Sequence, residues 1–242
     1  MSTKGKVTGI VSNLVTVAVD GPVAENELCY ISCGGEKLLA EVIKVNGDKA
    51  SVQVYESTRG LKNGDDVEFL GKMLEVTLGP GLLSGIYDGL QNNLRTMTGV
   101  FLKRGEYTEP LDRTVLWAFT PIAQPGDKVS AADWLGEIRE GWLPHKIMVP
   151  FSFSGEYTVK SIVPAGEYTV DQEIAVLTGA DGEDVPVTMT QRWPVKVAVR
   201  AYREKPRPSK IMETGVRCID TFNPIAEGGT GFIPGPFGCG KT

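Results

Sequence analysis

Short runs of alternating side chains, each ended by a turn, fill residues 5–72 and leave little freedom in how they can fold. Val7, Gly9 and Val11 alternate with Thr8, Ile10 and Ser12, which predicts one inward face of a first strand. Val15, Val17 and Val19 do the same against Thr16 and Ala18. A period of two is the strand period, because successive side chains point to opposite faces. Leu39–Val45 and Ala50–Tyr55 flank Asn46-Gly47-Asp48, whose Asn-Gly pair tolerates the positive φ of a tight hairpin turn. Lys62-Asn63-Gly64-Asp65 marks another turn before Val67-Glu68-Phe69. Short strands at this spacing predict a small closed barrel, in which no strand edge is left exposed.

Leu78-Gly79-Pro80-Gly81 breaks the alternation. A helix is predicted next, capped by Ser84 and ended by Gly99, with Ile86, Leu90, Leu94 and Met97 on one face. Residues 113–185 are β-rich again and carry an internal echo. Pro125–Val129 leads to Trp134–Ile138, and Ala165–Val170 leads to Glu173–Leu177. Two such hairpin-like halves resemble the sandwich of lipoyl and biotinyl carrier modules. A carrier needs a modifiable lysine at an exposed tip, and Lys146, after His145, has the wrong flanks in Trp142-Leu143-Pro144. The module is therefore read as structural.

The last eight residues, Gly235-Pro236-Phe237-Gly238-Cys239-Gly240-Lys241-Thr242, satisfy G-x-x-x-x-G-K-[ST] in full. Glycines in such a loop let successive amides turn inward around a phosphate chain. The lysine adds charge toward the β- and γ-phosphates, and the hydroxyl ligates Mg²⁺. Thr230-Gly231-Phe232-Ile233-Pro234 is read as the strand before the loop, and the helix that should follow is absent.

Composition excludes several alternatives. The 25 basic and 30 acidic residues give a net charge of −5, which argues against a general electrostatic grip on nucleic acid. Aromatics in the barrel region are sparse (Tyr30, Tyr55, Phe69), without a basic groove for an oligonucleotide. No apolar run approaches the roughly 18–20 residues that cross a bilayer. Cys29, Cys33, Cys218 and Cys239 are too few and scattered for a disulfide framework, and the single His145 is too far to complete a zinc site. A reducing cytoplasm is the simple reading.

One long stretch of sequence is more specific. Gly215-Val216-Arg217-Cys218-Ile219-Asp220-Thr221-Phe222-Asn223-Pro224-Ile225-Ala226-Glu227-Gly228-Gly229-Thr230 precedes the phosphate loop. With Leu78–Gln91, Leu111–Pro121 and Gln191–Val195 in order before it, the chain resembles the catalytic A subunit of the vacuolar/archaeal-type rotary ATPases along its whole length. Asn223 departs from the second aromatic usual there. The resemblance implies an N-terminal barrel over 1–72 and a connector opening the nucleotide-binding core over 73–112. A bulge insertion follows over 113–190, then a nucleotide-binding α/β domain over 191–242 that is cut at its phosphate loop. It also implies ATP or ADP with Mg²⁺, Lys241 as the catalytic charge, and Thr242 on the metal. The remaining loop residues, Gly235, Pro236, Phe237, Gly238, Cys239 and Gly240, would bind nucleotide. Implied partners are B subunits in an alternating A3B3 ring, a central stalk and a peripheral stalk, with membrane association only through the complex. Turnover would move H⁺ or Na⁺, and the 242-residue chain alone is expected to be inactive. Flagellar-export and F-type β ATPases are similar but lack the insertion. A non-catalytic assembly module is the reading from a different class.

Overall fold

The computed structural model describes residues 3–83, 85–97, 104–202, 204–236 and 238–240. These residues divide into two compact units, 1–201 and 202–242.

The first unit opens with six antiparallel strands: β1 (Lys4–Val11), β2 (Leu14–Val19), β3 (Glu27–Cys33), β4 (Glu36–Asn46), β5 (Lys49–Val54) and β6 (Asp66–Met73). They close into a barrel in the order β1-β2-β5-β4-β3-β6, with Lys4–Lys6 of β1 pairing Asp66–Glu68 of β6. Val7, Val15, Val17, Ile31, Leu38, Val42, Val52 and Phe69 fill its interior. The Asn-Gly hairpin forms as the sequence predicts: Asn46 pairs Lys49, and Gly47 takes φ 62° at the first loop position.

The first strand corrects the simple alternation. Register shifts between Val7 and Gly9, because Thr8 is an extra residue against β2. One inserted residue moves everything after it to the opposite face. Ile10 therefore packs on the core, while Val11 is 74% exposed.

β7 (Glu75–Leu78) leaves the barrel, and the predicted connector helix does not form among the described residues that follow it. Its two end residues, Ser84 and Gly99, lie outside the described residues. Between them, Tyr87 bridges Asn93 and Gln91 takes φ 65°, neither of which a helix allows. Asp88 explains the failure, since its carboxylate accepts the amides of Leu90 and Asn92 at 2.9 and 2.8 Å. Such local bonds offer the backbone an alternative to helix. Gln91 completes the arrangement by clasping the main chain of Thr77, accepting its N–H at 2.7 Å and donating to its carbonyl at 2.6 Å. Ile86 and Leu94 are left exposed rather than forming a buried stripe.

Eight strands make the next module: β8 (Trp117–Pro121), β9 (Lys128–Val129), β10 (Trp134–Glu140), β11 (Leu143–Met148), β12 (Tyr157–Ile162), β13 (Gly166–Tyr168), β14 (Ala175–Thr178) and β15 (Asp184–Val187). They form two four-stranded sheets, β11-β10-β8-β13 and β15-β14-β12-β9. The internal echo now has a structural meaning. In one half the short β9 joins one sheet and β10 the other; in the second half β13 and β14 make the reverse assignment. Gly136 permits a close approach here, as a Cβ would lie 2.3 Å from the Phe119 ring. Lys146 sits within β11, opposite Glu137 and over the Trp134 ring at 4.9 Å, while the hairpin tip is Gly141-Trp142. That placement does not suit a carrier lysine. The chain leaves the sandwich through β16 (Gln191–Pro194), which pairs antiparallel with β7 to make a two-stranded stem.

The second unit holds one short helix, α1 (Arg217–Phe222), and an isolated bridge between Ile211 and Ala226. Residues 230–234 are not a strand, contrary to the sequence reading. A strand is held by ladder bonds to a neighbour, and none of the described residues pairs with this segment. Phe232 is 87% exposed there.

Burial in the barrel has a measurable consequence. Cys29 is fully buried, and burial, helped by Glu27, pushes its thiol up to about 12. A raised folded value means the stabilising contribution is whole below the ordinary thiol range, near 9.0, and is lost as pH rises toward about 12. In that window each pH unit costs about 1.4 kcal/mol. The urea midpoint of the barrel should therefore fall between pH 9 and 11, and Cys29→Ala should flatten the fall. An equal slope in parent and variant would remove Cys29 as its source. Native alkylation at pH 8 should mark the exposed Cys218 and Cys239 and spare Cys29 and Cys33.

Candidate nucleotide-binding loop

The loop's approach is organised by a carboxylate. Asp220 of α1 accepts the Thr214 hydroxyl at 2.6 Å and the amides of Thr214 and Gly215 at 3.1 and 3.0 Å. The Thr214 hydrogen bonds hold its carboxyl below the ordinary carboxylate range, with the Gly215 amide adding to the effect. Bonding to the charged form is the cause, since the group is exposed. Two further bonds zip the flanks together: Met212 donates to the Ile225 carbonyl at 2.8 Å and Glu227 to that of Lys210 at 3.1 Å. The run from 210 to 229 is thus a compact turn-helix-turn leading to the loop.

Of the eight motif residues, Gly235, Pro236, Gly238, Cys239 and Gly240 are described, and Phe237, Lys241 and Thr242 lie outside the described residues. The structure therefore gives no placement for the catalytic lysine or the metal-binding hydroxyl expected from the sequence. What it does place is the glycine backbone. Gly238 and Gly240 take φ 80° and 71°, the left-handed region that glycine enters without strain. Among the described residues, no atom beyond the immediate chain neighbours lies within 4 Å of where a Cβ would project from either. Cys239 donates to the Pro236 carbonyl at 3.4 Å, closing a turn. All five described residues are exposed. An open turn with left-handed glycines on either side of Cys239 is compatible with an anion-binding backbone.

Three polar clusters of the first unit escaped sequence reading. Glu27 is buried and accepts the amides of Gly71 at 2.7 Å and Ala24 at 3.0 Å. Buried Glu140 accepts those of Gly81 and Leu83 at 2.8 and 3.1 Å, with His145 Nδ1 2.7 Å from its other oxygen. Buried Glu41 accepts the Tyr55 hydroxyl at 2.8 Å, and burial followed by that bond raises the tyrosine above its ordinary range. Nothing local in sequence marks a carboxylate in a strand as buried.

With barrel, sandwich and loop in view, comparison with known proteins becomes informative. Residues 7–71 match the family model described as "ATP synthase alpha/beta family, beta-barrel domain". Residues 108–196 match "ATPsynthase alpha/beta subunit barrel-sandwich domain". The chain belongs to the ATP synthase alpha/beta family. Within that family it aligns almost end to end with V-type alpha chains. The V-type ATP synthase alpha chain of Treponema denticola is 50% identical over 243 residues, covering 99% of this chain and 41% of that protein. That of Borrelia recurrentis is 49% identical over 245 residues, covering 100% and 42%. The Borreliella burgdorferi chain is 47% identical, covering 100% and 43%. This alpha/beta-family chain thus spans about two fifths of the length of the curated relatives it matches. The fold expected from the resemblance, mainly β with a barrel and a sandwich-like module, is the one found. Among the described residues no helix is long and apolar enough to cross a membrane.

Proposed function

We propose that a protein carrying this chain at the full length of its relatives is the catalytic subunit of a rotary V-type ATPase. It would couple ATP hydrolysis or synthesis to H⁺ or Na⁺ transport. The observation that carries this reading is 50% identity, over 99% of the chain, to a protein named V-type ATP synthase alpha chain. The complete Gly235–Thr242 motif supports it.

In this reading Gly235 to Gly240 line the phosphates of ATP or ADP, with the backbone N–H groups of every loop residue but Pro236 as donors. Lys241 holds charge at the γ-phosphate and Thr242 takes Mg²⁺. Mg-ATP supplies the phosphoryl group and the metal, and the described part of the loop fits it, because Gly238 and Gly240 leave the backbone uncovered. The barrel and sandwich do no chemistry. They serve assembly with B subunits in an A3B3 ring and with central and peripheral stalks, and the membrane is reached only through that complex.

Calorimetry with Mg-ATP tests the reading. In such loops a following helix supplies several phosphate donors and a favourable dipole. The 242-residue chain should therefore bind with Kd above about 1 mM, near −4 kcal/mol. The full-length protein should reach about 1 μM, near −8 kcal/mol. A full-length protein that binds no better than the 242-residue chain would overturn the proposal.

A further inference from the structure

We propose that Lys196 is a latch that fixes the exit of the sandwich to the wall of the barrel. The argument starts from Glu41. Leu38, Ala40 and Val42 of β4 face the barrel interior, so Glu41 belongs to the outer face, where a carboxylate would ordinarily be solvated. It is nevertheless only 5% exposed. A charge taken out of water is costly unless it is paired. The ammonium of Lys196 lies 2.7 Å from Glu41 Oε1 and donates to the Asn26 side-chain carbonyl at 2.9 Å. Oε1 receives no well-directed hydrogen bond, so the contact is an ion pair between a buried carboxylate and a half-exposed ammonium. Tyr55 satisfies the other oxygen.

Lys196 is presented to this site by a folded exit, not by a loose strand end. Val195 donates to the Leu74 carbonyl at 2.9 Å, and the Trp193 indole N–H donates to the Val197 carbonyl at 2.7 Å. The cation thus projects from the last turn of the stem just as the chain leaves the sandwich. Besides the two-stranded stem of β7 and β16, the connector is bonded to the barrel, Arg104 to Glu36 at 2.6 Å and the Gly105 amide to Glu56 at 2.8 Å. The Lys196 tie differs from these in reaching a buried carboxylate far away in sequence, and it holds the chain at the point where it leaves the sandwich. Lys196 is a positioning residue. The inference is independent of the nucleotide chemistry proposed above.

The test uses Lys196→Met, Lys196→Arg, Glu41→Gln and the double variant Glu41→Gln/Lys196→Met in the 242-residue chain. Amide exchange and thermal melting are the readouts. Lys196→Met should speed exchange at least tenfold across 38–42 and 191–197 and lower the melting temperature by several degrees. The double variant should recover more than half of that loss, because no unpaired charge stays buried, and Lys196→Arg should keep parent-like protection. Parent-like exchange in Lys196→Met, or a double variant as damaged as the two single changes added together, overturns the latch. Should Lys196→Met fail to fold, the double variant decides: a folded double variant supports the latch, and an unfolded one overturns it.

Discussion

Lys241→Ala should reduce Mg-ATP hydrolysis by the full-length protein, assembled with its partner subunits, by at least about 10²–10³-fold. Phosphoryl transfer leaves little covalent work for the protein, so positioned charge accounts for most of the acceleration. Removing one preorganised donor at a developing charge costs about 2.7–4 kcal/mol. Lysine in this motif acts as a mobile point charge on the β- and γ-phosphates, and alanine leaves nothing to replace it. The loss should fall mainly on kcat, since the backbone N–H groups proposed to hold the phosphates, those of the loop other than Pro236, are unchanged. Steady-state turnover of parent and variant, with nucleotide binding measured separately, checks both halves. A variant within threefold of the parent would show that Lys241 is not the catalytic charge.

Phe69→Ala should destabilise the barrel by about 3–5 kcal/mol, the range for truncating a buried aromatic. Phe69 is the largest wholly buried side chain of the barrel, at 0% exposure. It is paired to Cys29 across β3 and β6, and its amide donates to the Thr3 carbonyl at 2.9 Å. A closed barrel cannot collapse onto the void, because every strand is bonded on both sides. The loss is comparable with the whole stability of a domain, about 5–15 kcal/mol. Phe69→Leu, which conserves more volume, should lose less. Urea titration at constant m-value is the measurement, and a loss below about 1 kcal/mol for the alanine variant would contradict the packing described.

Elements whose signals are local were legible from the residues alone. Alternation in Val15–Val19 and the Asn46-Gly47 turn specify a hairpin-rich barrel, since strand period and turn chemistry are written in adjacent residues. The echo around Gly126 and Gly166 revealed two halves of a sandwich, though not that they exchange sheets. The phosphate motif was legible as a pattern, because its spacing is its chemistry. Whatever depends on a distant partner emerged only from the folded chain. Only pairing with β2 shows that Thr8 is a bulge and that Val11 faces water. A helical spacing of Ile86, Leu90, Leu94 and Met97 lost to bonds made by Asp88 and to the clasp of Gln91 on Thr77. Phe232 and Ile233 read as strand residues, but a strand needs a ladder, and their spacing carries no information about one. Glu41 and Lys196 look like ordinary surface charges in the sequence. They become an ion pair, with Glu41 buried and Lys196 half exposed, only because the chain, after building the whole sandwich, returns to the barrel wall.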